Sequence, residues 1–196
     1  MKFKRPESRQ PLPKKSKKVF EGVVFDVYQW KQEMYDGSFE VFEKLVRPDT
    51  VQVIPVTTDK RIIVVEVMQP GKKTVIRVPS GRVDAGEDIE NAARRELIEE
   101  TGYNAAKLVL WESFQPMSKV EWAIYTFIGK GCYKIGKPKK DKGEKIKKLL
   151  KISFDKFVDL VIDEKILGSE LSFKFLKAKL FDKDMGKLKN VFLSTF

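Results

Sequence analysis

The 196 residues are 42% hydrophobic and 34% charged, enough to bury a sizeable core as one domain with a small appendage. With no histidine and one cysteine, Cys132, the chain excludes Ser-His-Asp and Cys-His catalysis, histidine-ligated zinc and an intrachain disulfide, leaving acid–base work to carboxylates, lysines, tyrosines or metal-bound water. The net charge of +11 is uneven: residues 1–20 carry eight Lys or Arg against one acid, residues 129–196 eighteen against nine, and the stretch between thirteen against eighteen.

No apolar run approaches the roughly 18 residues that span a bilayer, and the basic N-terminus lacks the apolar segment of a secretion signal. The expectation is therefore a cytoplasmic protein with no membrane partner. Basic ends could steer a polyanion such as RNA, but lysine-rich tails more often serve as solvated surface.

In chain order, residues 1–18, rich in Lys, Pro and Ser, read as a flexible basic arm with no apolar period. Residues 19–50 read as a small antiparallel β unit. Val19 to Trp30 and Phe39 to Val46 are strand-like and meet near Tyr35-Asp36-Gly37-Ser38, where Asp-Gly signals a turn. Both faces of its first strand carry apolar side chains, and a hairpin of this size is marginal alone. The expected remedy is a homodimer that covers the outer face.

Residues 51–196 read as the main domain. Val51 to Val56 and Arg61 to Met68 predict a hairpin, and Thr74 to Val78 a strand ended by Pro79. Lys107 to Phe114 and Glu121 to Ile128 predict two more strands. Lys137 to Lys148 reads as a charged loop. Phe154, Phe157, Val158, Val161 and Ile162 define an amphipathic helix behind Ser153 as N-cap, and Leu171 to Phe181 a second, terminal one. The fold class is α/β (α+β): a mixed sheet sandwiched between helices, with the small N-terminal unit beside it.

The most constrained stretch lies in the middle of that domain. It reads Gly81, five residues, Glu87, seven residues, Arg95-Glu96-Leu97, one residue, Glu99-Glu100, one residue, Gly102-Tyr103. Ile89, Ala92, Ala93 and Leu97 recur at helical spacing, early acids suit the N-terminal end of a helix, and Gly102 is placed to end it. At about 100° per residue, Glu96 and Glu100 point close to the apolar face, with Glu99 a quarter turn away. A helix meant only to pack gains nothing from three carboxylates there, whereas a hard divalent cation with phosphate ligands resolves their repulsion. The plainer alternative is a solvated acidic helix with Arg94 and Arg95 as ion-pair partners.

These residues, at this spacing, resemble the Nudix box, the signature of hydrolases that cleave a nucleoside diphosphate linked to another group. From about Phe20 to the second C-terminal helix the chain is most similar to the ADP-ribose pyrophosphatase group, through its N-terminal β unit, Val46-Arg47-Pro48-Asp49-Thr50-Val51, Pro79-Ser80-Gly81 and Pro116. The resemblance implies Mg²⁺, with Mn²⁺ as a substitute, held by Glu96, Glu99, Glu100 and the Ser80 carbonyl, with Arg95 orienting the glutamates. It implies a homodimer in which an aromatic residue of the β unit holds the nucleobase. Trp30 is the candidate for that role, with a core tryptophan as the alternative. It implies a catalytic glutamate in the loop after the box, where Glu121 stands; an edge-strand surface acid is the other reading of that residue. Arg47, Arg77, Lys72 and Lys73 are candidates for phosphate contacts. The chain departs from the group at Arg77, where a glutamate is usual, and at Met117-Ser118-Lys119-Val120-Glu121, which lacks the usual glycines.

The implied reaction is Mg²⁺-dependent hydrolysis of a pyrophosphate bond in ADP-ribose or another nucleotide sugar, giving a nucleoside monophosphate and a phosphorylated product. Hydrolysis of capped RNA or of a dinucleotide such as NADH or a diadenosine polyphosphate would use the same box. A catalytically silent nucleotide-binding module is the reading outside enzymes.

Overall fold

A computed structural model describes residues 3–139, 143–166 and 169–194. The small unit comprises β1 (Lys17–Phe20), β2 (Asp26–Glu33) and β3 (Phe39–Val46), each antiparallel to the next. The expected turn closes β2 onto β3, with Gly37 at φ 82° and the Ser38 amide donating to the Asp36 carboxylate at 3.0 Å.

The main sheet begins with β4 (Thr50–Thr57) and β5 (Ile62–Met68), the hairpin expected from their Val- and Ile-rich runs. β6 (Val75–Arg77) adds to β5 and β7 (Ser80–Arg82) to β4, both antiparallel. α1 (Ile89–Thr101) follows, then β8 (Tyr103–Asn104), β9 (Lys107–Phe114), β10 (Val120–Glu121) and β11 (Ile124–Lys134). β11 runs parallel to β4 and antiparallel to β8 and β9, so the sheet is mixed.

Alternation along β4 gives the sheet two buried faces. Val51 and Val53 join Ala92, Ala93 and Leu97 of α1, while Ile54 and Val56 join the aromatic cluster of the C-terminal helices. Those helices are α2 (Phe154–Ile162), α3 (Ser169–Leu180) and α4 (Asp182–Leu193). The sheet is thus sandwiched between helices, as expected.

Three features differ from the sequence reading. Residues 145–148, expected as the end of a charged loop, belong to β12 (Lys145–Ile152), antiparallel to β5, because Ile146, Leu150 and Ile152 recur among the lysines on a strand period. Residues 140–142 of that loop lie outside the described residues. A further helix, α4, follows α3. Its buried Phe192 and partly buried Met185 and Leu188 carry an apolar face that lysines and Gly186 obscure in sequence.

The third difference is the arm. Residues 3–16 hold fixed contacts: Phe3 packs edge-on against Phe127 with ring centroids 5.5 Å apart, and Arg5 forks onto Asp49 with two hydrogen bonds of 2.9 Å. Polar contacts in a short segment were invisible to a search for apolar periodicity. The small unit is likewise not built from residues 19–50 alone, since β10 pairs in parallel with β3 and the Leu45 amide donates to the Lys119 carbonyl at 3.0 Å. Among the described residues no helix is long and apolar enough to cross a membrane.

Candidate active site

α1 is fixed at both ends. The Asp88 carboxylate accepts from the Glu90 and Asn91 amides at 2.9 and 3.2 Å. Gly102, at φ 71°, donates to the Ile98 carbonyl at 2.8 Å, and a Cβ there would meet the Gly136 carbonyl oxygen at 2.4 Å, so glycine is required twice over. Ala92, Ala93 and Leu97 seat the helix on β4, which turns Glu96, Glu99 and Glu100 toward the loop Val78-Pro79-Ser80-Gly81.

A cavity of about 600 Å³ lies between them, lined among others by Ser80, Gly81, Arg95, Glu96, Glu99 and Glu100. All the residues expected to hold a cation, together with Arg95, are therefore brought together. Arg95 forks onto Glu87 at 2.9 and 2.8 Å, and reaches Glu96 at 2.6 Å, Glu99 at 3.5 Å and the Arg82 carbonyl at 2.9 Å. That hydrogen bond from Arg95 holds the Glu87 carboxyl below its ordinary value. Burial raises Glu96, and it pushes the Glu100 carboxyl up to about 7 against the pull of Arg77.

Arg77 does not face open solution as a phosphate contact would. Its buried guanidinium forks onto Glu100 at 2.8 and 2.9 Å, and donates to Glu144 at 2.6 Å, Ser80 Oγ at 2.9 Å and the Ser80 carbonyl at 3.3 Å. Glu144 and Lys139, which also line the cavity, were missed by sequence reasoning. Both sit in the lysine-rich stretch beyond the box and carry no spacing signal. Lys139 donates to Glu99 at 2.7 Å.

Lys72 and Lys73 line a separate cavity, and three further expected site residues also lie outside this one. Glu121 is held by Lys44 at 2.7 Å, by Gln115 at 3.2 Å and by Arg5; Lys44 itself is fully buried and also donates to Ser8 Oγ at 2.7 Å. Burial works to raise the Glu121 carboxyl, but these donors outweigh it and hold it below the ordinary range. Trp30 is buried in the small sheet, 6.0 Å from the Phe42 ring, its indole donating to Gln32. Arg47 lies 4.4 Å over the Trp122 ring and 5.5 Å over Phe25, beside a separate cavity of about 710 Å³.

The oxygen donors fit a hard divalent cation in kind. The loop backbone also comes close enough to matter, since a Cβ on Gly81 would fall 2.1 Å from the Glu96 carboxyl carbon. Among the described residues no three acids are grouped tightly enough to hold an ion alone. Magnesium suits such a site, because it keeps several waters and takes one or two carboxylates together with substrate phosphates.

Comparison with known proteins agrees with this geometry. The chain is 37% identical over 97 residues to an ADP-ribose pyrophosphatase of Bacillus subtilis (strain 168), a match covering 49% of this chain and 52% of that protein. It is 26% identical over 158 residues to a methanol dehydrogenase activator of Bacillus methanolicus, covering 80% and 85%. A solved structure of an ADP compounds hydrolase superposes with a TM-score of 0.67 at 19% identity, over 92% of this chain and 98% of that one, and shares the fold. The NUDIX domain family matches residues 46–166, from the end of β3 past α2, and with the acidic helix at the centre of that match the chain belongs to the NUDIX domain family.

Proposed function

We propose that the chain hydrolyses the pyrophosphate bond of a nucleoside diphosphate linked to another group, with ADP-ribose or a related nucleotide sugar as substrate and Mg²⁺ or Mn²⁺ as cofactor. The observation that carries this reading is one cavity holding Glu96, Glu99, Glu100 and the Ser80 carbonyl, cross-tied by Arg95. Similarity to proteins named for ADP-ribose and ADP compounds supports the substrate class.

Glu96 and Glu99 would hold the cation, with Glu100 and Ser80 at the inner end of the cavity. When bound, it would neutralise charge developing on the phosphates and lower the pKa of the attacking water. Arg95 orients Glu96 and Glu99 through its hydrogen bonds. Glu99, the most exposed of the three box carboxylates, receives the proton of the water that attacks phosphorus as the bridging P–O bond breaks. Lys139, at the cavity rim, is placed to meet the substrate's negative charge.

The test is a substrate panel with Mg²⁺: ADP-ribose, GDP-mannose, NADH, diadenosine polyphosphates and capped RNA. We expect AMP from ADP-ribose at the highest kcat/KM. Preference for capped RNA, with activity falling steeply with salt, would replace the substrate assignment; no hydrolysis of any member would overturn the activity.

A further inference from the structure

Behind the wall of the acidic cavity, against Ser80, Glu100 and Glu144, lies a permanent cation. Arg77, the last residue of β6, is delivered between the loop and α1 with only 13% of its side chain exposed. A guanidinium stays charged and cannot give up its proton to escape burial, so it must be fully compensated. It is: both Glu100 oxygens, Glu144, and both oxygens of Ser80 accept from it.

Two of these acceptors, Glu100 and the Ser80 carbonyl, are among the four groups that would otherwise hold a metal. Arg95 is engaged differently. Its fork is spent on Glu87, and it touches only one oxygen each of Glu96 and Glu99. Glu100 is thus held at both oxygens by a buried guanidinium, whereas Glu96 meets Arg95 through one oxygen and Glu99 has its second oxygen engaged only by the exposed Lys139.

We infer that Arg77 takes the place of a second divalent cation, leaving Glu96 and Glu99 to hold the metal while Glu100 serves as the counter-ion of Arg77. This inference rests on the metal-dependent reading above. A divalent ion brought onto Glu100 would have to displace the guanidinium or sit against it, and either is unfavourable in a partly desolvated site. The arrangement makes Arg77 a positioning residue whose removal opens a site that the intact protein lacks.

The experiment is a Mn²⁺ titration of the substrate-free protein, followed by the electron paramagnetic resonance signal of unbound Mn²⁺. Arg77→Gln should bind one more ion per chain than the intact protein, and that ion should be lost again when Glu100→Gln is added. Arg77→Lys, which keeps the charge, should retain the original stoichiometry. In the intact background, Glu96→Gln should weaken binding by about tenfold or more, whereas Glu100→Gln should leave it nearly unchanged. If Arg77→Gln does not fold by circular dichroism, the Glu100→Gln titration decides alone. Equal stoichiometry with and without Arg77, or a large loss of affinity in Glu100→Gln, overturns the inference. Absence of Mn²⁺ binding to every folded variant also overturns the inference, whereas hydrolysis in the substrate panel that is undiminished by removing divalent cations rejects the metal-dependent reading itself.

Discussion

At the scale of single residues, Gly81 and Glu96 approach so closely that one methyl group can test their relation. The Cβ of Gly81→Ala would collide with the carboxylate at the free end of a flexible side chain, so Glu96 must move while the backbone need not. We expect a thermal midpoint near that of the intact protein and a loss in kcat/KM of about a hundredfold, approaching that of Glu96→Gln. Full activity in Gly81→Ala would show that the position of Glu96 is not critical.

Glu121 offers a test by pH. Its folded pKa lies below the ordinary value, so it contributes stability that is complete above the carboxylate range and is lost as pH falls through it. Melting curves should show the intact protein losing stability below about pH 4 to 5, with a shallower loss in Glu121→Gln. Identical acid slopes would mean that the Lys44–Glu121–Arg5 cluster contributes nothing. At this scale the sequence was informative where a spacing rule applied and uninformative elsewhere. The box residues on α1 were legible because helix geometry converts spacing into direction, whereas Gly81 and Glu87 precede the helix. Glu144, Lys44 and Arg5 were not, since each meets its partner through contacts 36 to 116 residues apart in the chain.

Among elements, the C-terminal helices show how far aromatic residues can carry a marginal sequence. Phe192 of α4 meets Trp111 at 5.1 Å, Phe154 at 5.6 Å and Phe175 at 5.8 Å between ring centroids, mostly edge-on. Phe192→Ala should cost about 3–5 kcal/mol in urea unfolding, and a loss below about 1 kcal/mol would mean that α4 is not part of the cooperative core. The helix was illegible because its apolar residues are few and separated by lysines, and only the facing aromatics of α2 and α3 make them a face. β12 was hidden for the same reason: its apolar residues alternate with lysine, and hydropathy alone reads such a run as loop. β4, β5 and α1 needed no such help, because their apolar periods are unbroken.

For the whole molecule, the prominent surface feature is the apolar exposure of the small sheet. Val19, Phe20, Val23, Phe39 and Val41 are all exposed, Val23 almost completely. We propose that a second copy covers this face. Sedimentation at micromolar concentration should give a dimer, and Val41→Lys should shift it to monomer. Deleting residues 1–16 should keep the dimer while lowering the melting temperature, because Phe3 and Arg5 leave their partners. A monomeric intact chain would reject the proposal.

The pairing of β10 with β3 has a dynamic corollary. The Leu45 amide points away from β2 and is tied only to the Lys119 carbonyl, across the seam between the small sheet and the loop that follows β9. Its exchange with deuterium is therefore a direct clock for separation of the two bodies. If the seam stays shut on the timescale of global unfolding, Leu45 will be as slow as amides at the centre of β4. If the small sheet swings free to admit ligand, Leu45 will exchange early while β4 stays protected, and nucleotide binding will slow it in proportion to closure.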